Sequence, residues 1–247
     1  MNWLVQNFQK RFQFALRNPG YVIASLVREI TLADERFLSS ITGVPPSQIR
    51  SFLNEPFGTT AFAFRLREAE NYFYQAKVEG ADLYAKKILV QYAAIRAMKP
   101  NVIVETGVAS GVSTSYILLA LQKNGHGQLH SIELGDPQYL PPGKQPGWIV
   151  PDWLRNNWDL RIGDSLELLP KLMSEVGPVD VFVHDSLHTY DHMLWEFRIA
   201  NPWLRSGGLL ISDDAAWNSA FSEFAHETGA THARVLRGVG FLRKNPH

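Results

Sequence analysis

Three observations predict an α/β fold built on a doubly wound parallel sheet for this chain of 247 residues. From Asn101 onward, short apolar runs recur at residues 102–104, 129–132, 160–162, 179–183 and 209–211. None alternates strictly, which suits strands buried on both faces. The intervals between them are helix-like and long enough for crossover connections. Hydrophobic residues make up 45% and charged residues 19% of the chain, the composition of an ordinary globular protein.

The charge balance narrows the partners. Lys plus Arg and Asp plus Glu both number 24, so no net field gathers a nucleic-acid backbone, and a small molecule is the expected partner. Cysteine is absent. That excludes disulfides, thiolate metal sites, iron–sulfur clusters and cysteine nucleophiles, and it suits the cytoplasm, where we expect the protein.

Residues 1–30 hold Trp3, Leu4, Val5, Phe8, Phe12 and Phe14 among Lys10, Arg11, Arg17 and Arg28, an amphipathic and basic segment. Its first charge follows the apolar start, and its longest apolar run, residues 21–27, is far below the roughly 20 residues that span a bilayer. Neither a signal peptide nor a membrane span is expected. Such a stripe packs on the chain's own core or on a second subunit more often than on a membrane surface. Residues 42–46 and 54–58, rich in proline and glycine, read as helix-breaking punctuation. Over residues 69–98, the spacing of Tyr72, Ala76, Leu83, Ile88, Tyr92 and Ile95 is helical, and Lys99-Pro100 stops it. Residues 1–98 are therefore expected to form a helical region serving as lid, substrate wall or homo-oligomer contact. Residues 99–247 are expected to form the ligand-binding domain. No internal repeat or low-complexity tract is present.

Open parallel sheets bind ligands beyond the carboxyl ends of their strands. The first strand runs into Glu105-x-Gly107-x-x-x-Gly111 and then a helical run. The two glycines let the backbone turn tightly and approach a ligand where the next helix presents free N–H groups. The loop lacks the Gly-Lys-Ser/Thr of a P-loop and the Gly-x-Gly-x-x-Gly of a dinucleotide site. The second strand ends in Glu133, a carboxylate placed either to accept the hydroxyls of a ribose or to end in solvent. The third ends in Asp164-Ser165, which either meets an adenine edge or caps the following helix.

The fourth and fifth runs lead into Asp185, His188 and Asp213-Asp214. If they pair in parallel, roughly 4.8 Å apart, three carboxylates converge and repel. A hard divalent cation, Mg²⁺ before Ca²⁺ or Mn²⁺, is the economical neutraliser. Alternatively, Asp213 or Asp214 caps a helix starting near Ala215. His184, His188 and His192 recur every four residues, but His184 ends a strand and no His-Glu-x-x-His is present, so a zinc ladder is rejected. His188 is placed either as a general base for a hydroxyl proton or as a hydrogen-bonded loop histidine. At the end of the chain, residues 232–236 and 239–243 flank Arg237-Gly238 as a closing hairpin.

Taken in order, Glu105-x-Gly107-x-x-x-Gly111, Glu133, Asp164-Ser165, Asp185-x-x-His188-x-Tyr190 and Gly207-Gly208 followed by Asp213-Asp214 resemble the class I S-adenosylmethionine-dependent methyltransferases. More narrowly, they are similar to the metal-dependent small-molecule O-methyltransferases, including those that methylate sugars of macrolide antibiotics. The likeness covers about residues 100–245. It implies a Rossmann-like, seven-stranded sheet whose last strand is antiparallel. It places Glu105, Gly107 and Gly111 beside the methionine part of S-adenosylmethionine, Glu133 at ribose, and Asp164 with Ser165 at adenine. It also implies that Asp185, Asp213 and Asp214 hold Mg²⁺, with Asp185 and His188 catalytic and His188 the general base. Ala109 departs from the pattern, since many relatives carry glycine there. The implied reaction is methylation of a hydroxyl on a sugar, glycoside or vicinal diol. The rival expectations are metal-assisted hydrolysis and a catalytically silent cofactor-binding scaffold. Tyr139 and Trp148, in the long loop 136–152, are placed to touch ligand or to anchor the loop on the core.

Overall fold

The computed structural model describes residues 32–76 and 83–246. The amphipathic segment 1–30 lies outside the described residues. The chain enters through helices α1 (Leu32–Thr42), α2 (Pro46–Gly58), α3 (Thr60–Ala76) and α4 (Lys86–Met98). It then alternates β1 (Val102–Thr106), α5 (Val112–Asn124), β2 (Gln128–Glu133), β3 (Trp158–Ile162), α6 (Ser165–Val176), β4 (Val179–His184), α7 (Tyr190–Ala200), β5 (Leu204–Ser212), α8 (Ala220–Glu227), β6 (His232–Leu236) and β7 (Val239–Arg243).

The seven strands lie in the order β3-β2-β1-β4-β5-β7-β6. The first five are parallel, while β7 runs antiparallel to both β5 and β6. The sequence-derived fold is thus observed, including the closing hairpin at Arg237 and Gly238. Both of those residues take left-handed backbone, as a tight two-residue turn between twisted strands requires.

Side-chain alternation sorts the strands between two cores. Ile103, Leu129, Val181, Val183, Leu209 and Ile211 face one side, where α5 and helices α1 to α4 cover them. Val104, Ile132, Phe182, Leu210 and Leu242 face the other, under α6, α7 and α8. This period of two explains why the strands read as unbroken apolar runs: each face has its own helical layer.

Helix α4 is buried nearly all round, against α5 on one side and α2 on the other. Arg96 binds both oxygens of Glu55 at 2.6 and 2.9 Å, and the Tyr92 hydroxyl donates to the same carboxylate at 2.8 Å. That polar brace fixes α4 on α2, and α4 is the element that reaches the site.

Three local expectations are corrected. Residues 54–58 lie inside α2 rather than before a break: Pro56 forfeits its own i→i−4 bond and the helix ends two residues later, at Gly58. The helical spacing of residues 69–98 belongs to two helices, α3 and α4, with Leu83 and Tyr84 in a turn between them. The two apolar faces have different partners: Tyr72 and Phe73 pack on Trp148, while Tyr92 packs on Tyr116 of α5. No helix starts near Ala215, where the chain turns and the Ala215 N–H donates to Gly238 O; the helix begins at Ala220. Among the described residues, no helix is long and apolar enough to cross a membrane.

Candidate active site

The site lies where β1, β2, β4 and β5 end. After β1, the Gly107 N–H donates to Ile132 O at 2.9 Å and the loop folds back over the sheet. A Cβ at Gly107 would sit 1.9 Å from the carbonyl oxygen of Asp185, so only glycine permits this crossing. Gly111, at φ +85°, opens α5, and its Cβ would meet the Gly147 backbone at 2.7 Å. The loop therefore touches the Asp185 end of β4 on one side and loop 136–152 on the other.

The acids around this loop are already engaged. Glu133 accepts from Val108 N and Ala109 N, both at 2.7 Å, and from Gly135 N at 2.9 Å. Ala109 is held at φ +46°, a left-handed conformation that costs a residue with a Cβ roughly 1–2 kcal/mol. Glu105 is fully buried and accepts from Thr114 Oγ1 at 3.0 Å and Ser131 Oγ at 2.7 Å. Burial pushes its carboxyl up to about 7, against the opposing effect of those hydrogen bonds. Asp164 caps α6 by accepting from Leu166 N at 2.8 Å, and Ser165 Oγ lies 3.2 Å from His192 Nε2.

The strand-end geometry brings Asp185 and Asp213 together. The Asp185 N–H donates to Thr106 O and the Asp213 N–H to His184 O, each at 2.8 Å, so the ladder continues past the formal strand ends. Ligand atoms of Asp185, His188 and Asp213 all lie within 4.8 Å of one another. Asp213 is 4% exposed, and its Oδ1 has no hydrogen-bond partner; neither does the buried Nε2 of His188. Buried polar atoms left this way are costly unless something arrives to pair them. Asp185 is raised well above the usual carboxylate range by burial and by the Asp213 charge. His188 is lowered by burial and by nearby His184, so it is neutral at pH 7.

The structure does not bring all three aspartates equally close. Asp214 stands outside the trio: its backbone turns left-handed at φ +45°, and its Oδ1 lies 3.7 Å from Lys87 Nζ. His188 lies nearer, its Nε2 3.8 Å from Asp185 Oδ1. A cavity of about 620 Å³ opens over Asp185, Asp213 and residues 108–111 of the glycine loop, with His188, Asp214 and Gly107 outside its lining. Asp185, Asp213 and Gly111 line it, as do Ser113, Lys87, Gln91 and Tyr139; Glu105, Glu133, Asp164 and Ser165 do not. Tyr139 is 62% exposed at the cavity edge, whereas Trp148 is the loop's anchor, packed on Tyr72 and Phe73.

Sequence reasoning missed two features. Lys87 donates to Asp213 Oδ2 at 2.5 Å across 126 residues of sequence, and nothing in its helical context marks it. Burial lowers the Lys87 pKa, but the hydrogen bond and charge of Asp213 outweigh that and raise it. Below the trio, fully buried Glu196 gathers Thr106 Oγ1 at 2.5 Å, His184 Nδ1 at 2.7 Å, His192 Nε2 at 2.9 Å and Ser186 Oγ at 2.9 Å. These hydrogen bonds overcome burial and hold Glu196 far below the usual carboxylate range, and Glu196 in turn raises His192. The one sequence signal was the i, i+4 spacing of His192 and Glu196.

A sheet of this order, with a glycine loop after β1 and an acid cluster after β4 and β5, defines a class. Residues 104–215 match the family model described as "Methyltransferase domain". This stretch carries both the loop and the trio, and it bears out the resemblance to the class I methyltransferases. Among curated proteins, the chain is 30% identical over 115 residues to a catechol O-methyltransferase of Niastella koreensis, covering 45% of this chain and 48% of that protein. The chain thus spans about half the length of the curated relative it matches. Two solved structures share the fold. One is the O-methyltransferase TomG of Streptomyces achromogenes in complex with SAM, with TM-score 0.54 and 17% identity over 74% of this chain and 90% of that one. The other is an O-methyltransferase of Bacillus cereus in complex with SAH, with TM-score 0.52 and 15% identity over 73% and 90%.

Proposed function

We propose that the protein transfers a methyl group from S-adenosylmethionine to a hydroxyl of a small molecule, a sugar, glycoside or vicinal diol, and that a hard divalent cation such as Mg²⁺ assists. The observation that carries this reading is the pair of buried, partnerless atoms, Asp213 Oδ1 and His188 Nε2, on residues whose ligand atoms come within 4.8 Å, with Asp213 lining a cavity that the glycine loop also lines. Carboxylate oxygens suit a hard cation, and an orphaned carboxylate oxygen is what such an ion satisfies, which leaves the orphaned imidazole nitrogen for a proton. When bound, the cation lowers the pKa of a hydroxyl and fixes its oxygen.

The chain's own residues supply the rest. Asp185 and Asp213 would hold the cation, and Asp214 stands beside Lys87. His188 Nε2 accepts the hydroxyl proton as the oxygen–methyl bond forms and the sulfur–methyl bond breaks. Gly107 and Gly111 let the backbone lie close to the donor. In the free protein Glu133 holds the loop, and we assign it the ribose hydroxyls when the donor is present, with Asp164 and Ser165 toward adenine. Glu105 acts from behind by locking α5 to β2. Helices α3 and α4 wall the acceptor with Phe73, Lys87, Ile88 and Gln91. Because reacting atoms must align within about 3–3.5 Å, positioning supplies much of the acceleration.

A methyl-transfer screen against sugars, phenols and vicinal diols, run with and without chelator, tests the reading. We expect S-adenosylhomocysteine to form with an adjacent-hydroxyl acceptor, to stop with chelator and to return with Mg²⁺. Transfer undiminished by chelator contradicts the cation, and no product with any acceptor contradicts methyl transfer.

A further inference from the structure

Among the described residues, Lys87 is the one ammonium group placed among the three acids, and it comes from α4, outside the matched domain. Its Nζ donates to Asp213 Oδ2 at 2.5 Å and lies 3.7 Å from Asp214 Oδ1, while the other oxygen of Asp213 stays partnerless. A single carboxylate is thus paired with an ammonium at one oxygen and left without a hydrogen-bond partner at the other. The backbone that carries Lys87 is fixed, since α4 is braced on α2 through Arg96, Tyr92 and Glu55. Its side chain is 35% exposed, and a flexible four-carbon stem lets the head move while the helix stays.

Resting on the cation reading above, we infer that Lys87 is a resident counter-ion that competes with the divalent cation for Asp213 and so sets the affinity of the site. Without cation, its positive charge offsets repulsion among Asp185, Asp213 and Asp214. A dication arriving at Asp213 Oδ1 meets that same charge a few ångströms away, where like charges repel strongly in a recessed site. Binding therefore requires the ammonium to yield, and the Asp214 carboxylate 3.7 Å away offers it a second partner. The device keeps the cation exchangeable and ties its occupancy to α4, a wall of the acceptor cavity.

The test uses the full chain freed of metal by chelator, with Mn²⁺ as the probe and its free concentration read by electron paramagnetic resonance. Lys87→Met keeps the stem and removes the charge; Lys87→Gln keeps a polar head in case Met disturbs packing. Expected is a fall in the Mn²⁺ Kd of about tenfold or more in either variant. The metal-free melting temperature should drop while the Mn²⁺-saturated one holds, so the metal-induced shift widens. A merely structural Lys87 would lower both temperatures and leave Kd unchanged, which overturns the inference. A weakened Kd also overturns it, since Lys87 would then be orienting Asp213 for the ion. If the folded wild-type chain binds no Mn²⁺, the cation reading fails with it; if wild type binds and the variants match it, only the Lys87 inference fails.

Discussion

The two halves of the site treat their acids in opposite ways. On the β1–β2 side, Glu105 and Glu133 are fully used by the protein itself, through Thr114, Ser131 and three backbone N–H groups. On the β4–β5 side, Asp213 keeps a buried oxygen without a partner, and His188 keeps a nitrogen in the same state. The first half is a finished scaffold whose acids hold a loop in shape. The second is chemically incomplete, and incompleteness is where a ligand acts. The difference teaches that two acids at strand ends do different work in the free protein: one holds its own loop, the other waits for a partner.

The contrast breaks most violently at Gly107, where the halves touch. Gly107→Ala forces a Cβ into the Asp185 carbonyl, so both halves should fail together. We expect a loss of at least about 3 kcal/mol in denaturant unfolding, with donor binding and turnover both gone. A variant of wild-type stability would mean that the crossing is not as tight as described.

Asp213→Asn probes the incomplete half alone. Turnover should fall about 100-fold or more at saturating acceptor, while the melting temperature moves by only a few degrees. Retention of most of the activity would show that the orphaned oxygen does no chemistry.

Glu105→Gln probes the finished half. With a folded-state value of about 7 against about 4.5 when unfolded, Glu105 holds a proton in the folded chain that the unfolded chain has lost. Its stabilising contribution is therefore full below about pH 4.5 and is lost as pH rises through 7. The glutamine variant should flatten the pH dependence of stability between pH 5 and 8 by up to about 3 kcal/mol. Parallel profiles for variant and wild type would contradict the buried, protonated state. The smallest effect is expected at Ala109, held left-handed at φ +46°. Ala109→Gly should stabilise the chain by about 1 kcal/mol by relieving that strain, read as a rise in melting temperature; a fall would show that the Cβ packs usefully.

Much of the fold was legible because the two sheet faces each have a helical cover, which writes every strand as an apolar run and every connection as a helix. The site was legible where the chemistry is local: Asp185 and His188 share one turn of chain, and strand pairing delivers Asp213. The separation of Asp214 from Asp213 was not legible, because neighbours in sequence part when one of them turns left-handed. Lys87 was invisible because its meaning comes from a partner 126 residues away, reached by helix packing that no local pattern encodes. The hydrogen bonds that Glu133 and Glu105 make within the protein were not legible, because a sequence shows a carboxylate without the N–H and hydroxyl groups around it. Helix 69–98 read as one because Gly80, a weak helix former, breaks no periodic spacing.

The central claim is that donor binding and cation binding are separable functions of two half-sites in one cavity. Calorimetric titration of S-adenosylhomocysteine into chelator-treated wild-type protein and into Asp213→Asn tests it most directly. The account predicts binding in both, with Kd values within about threefold of each other. Absence of heat with the wild type, or loss of binding confined to the variant, would contradict it.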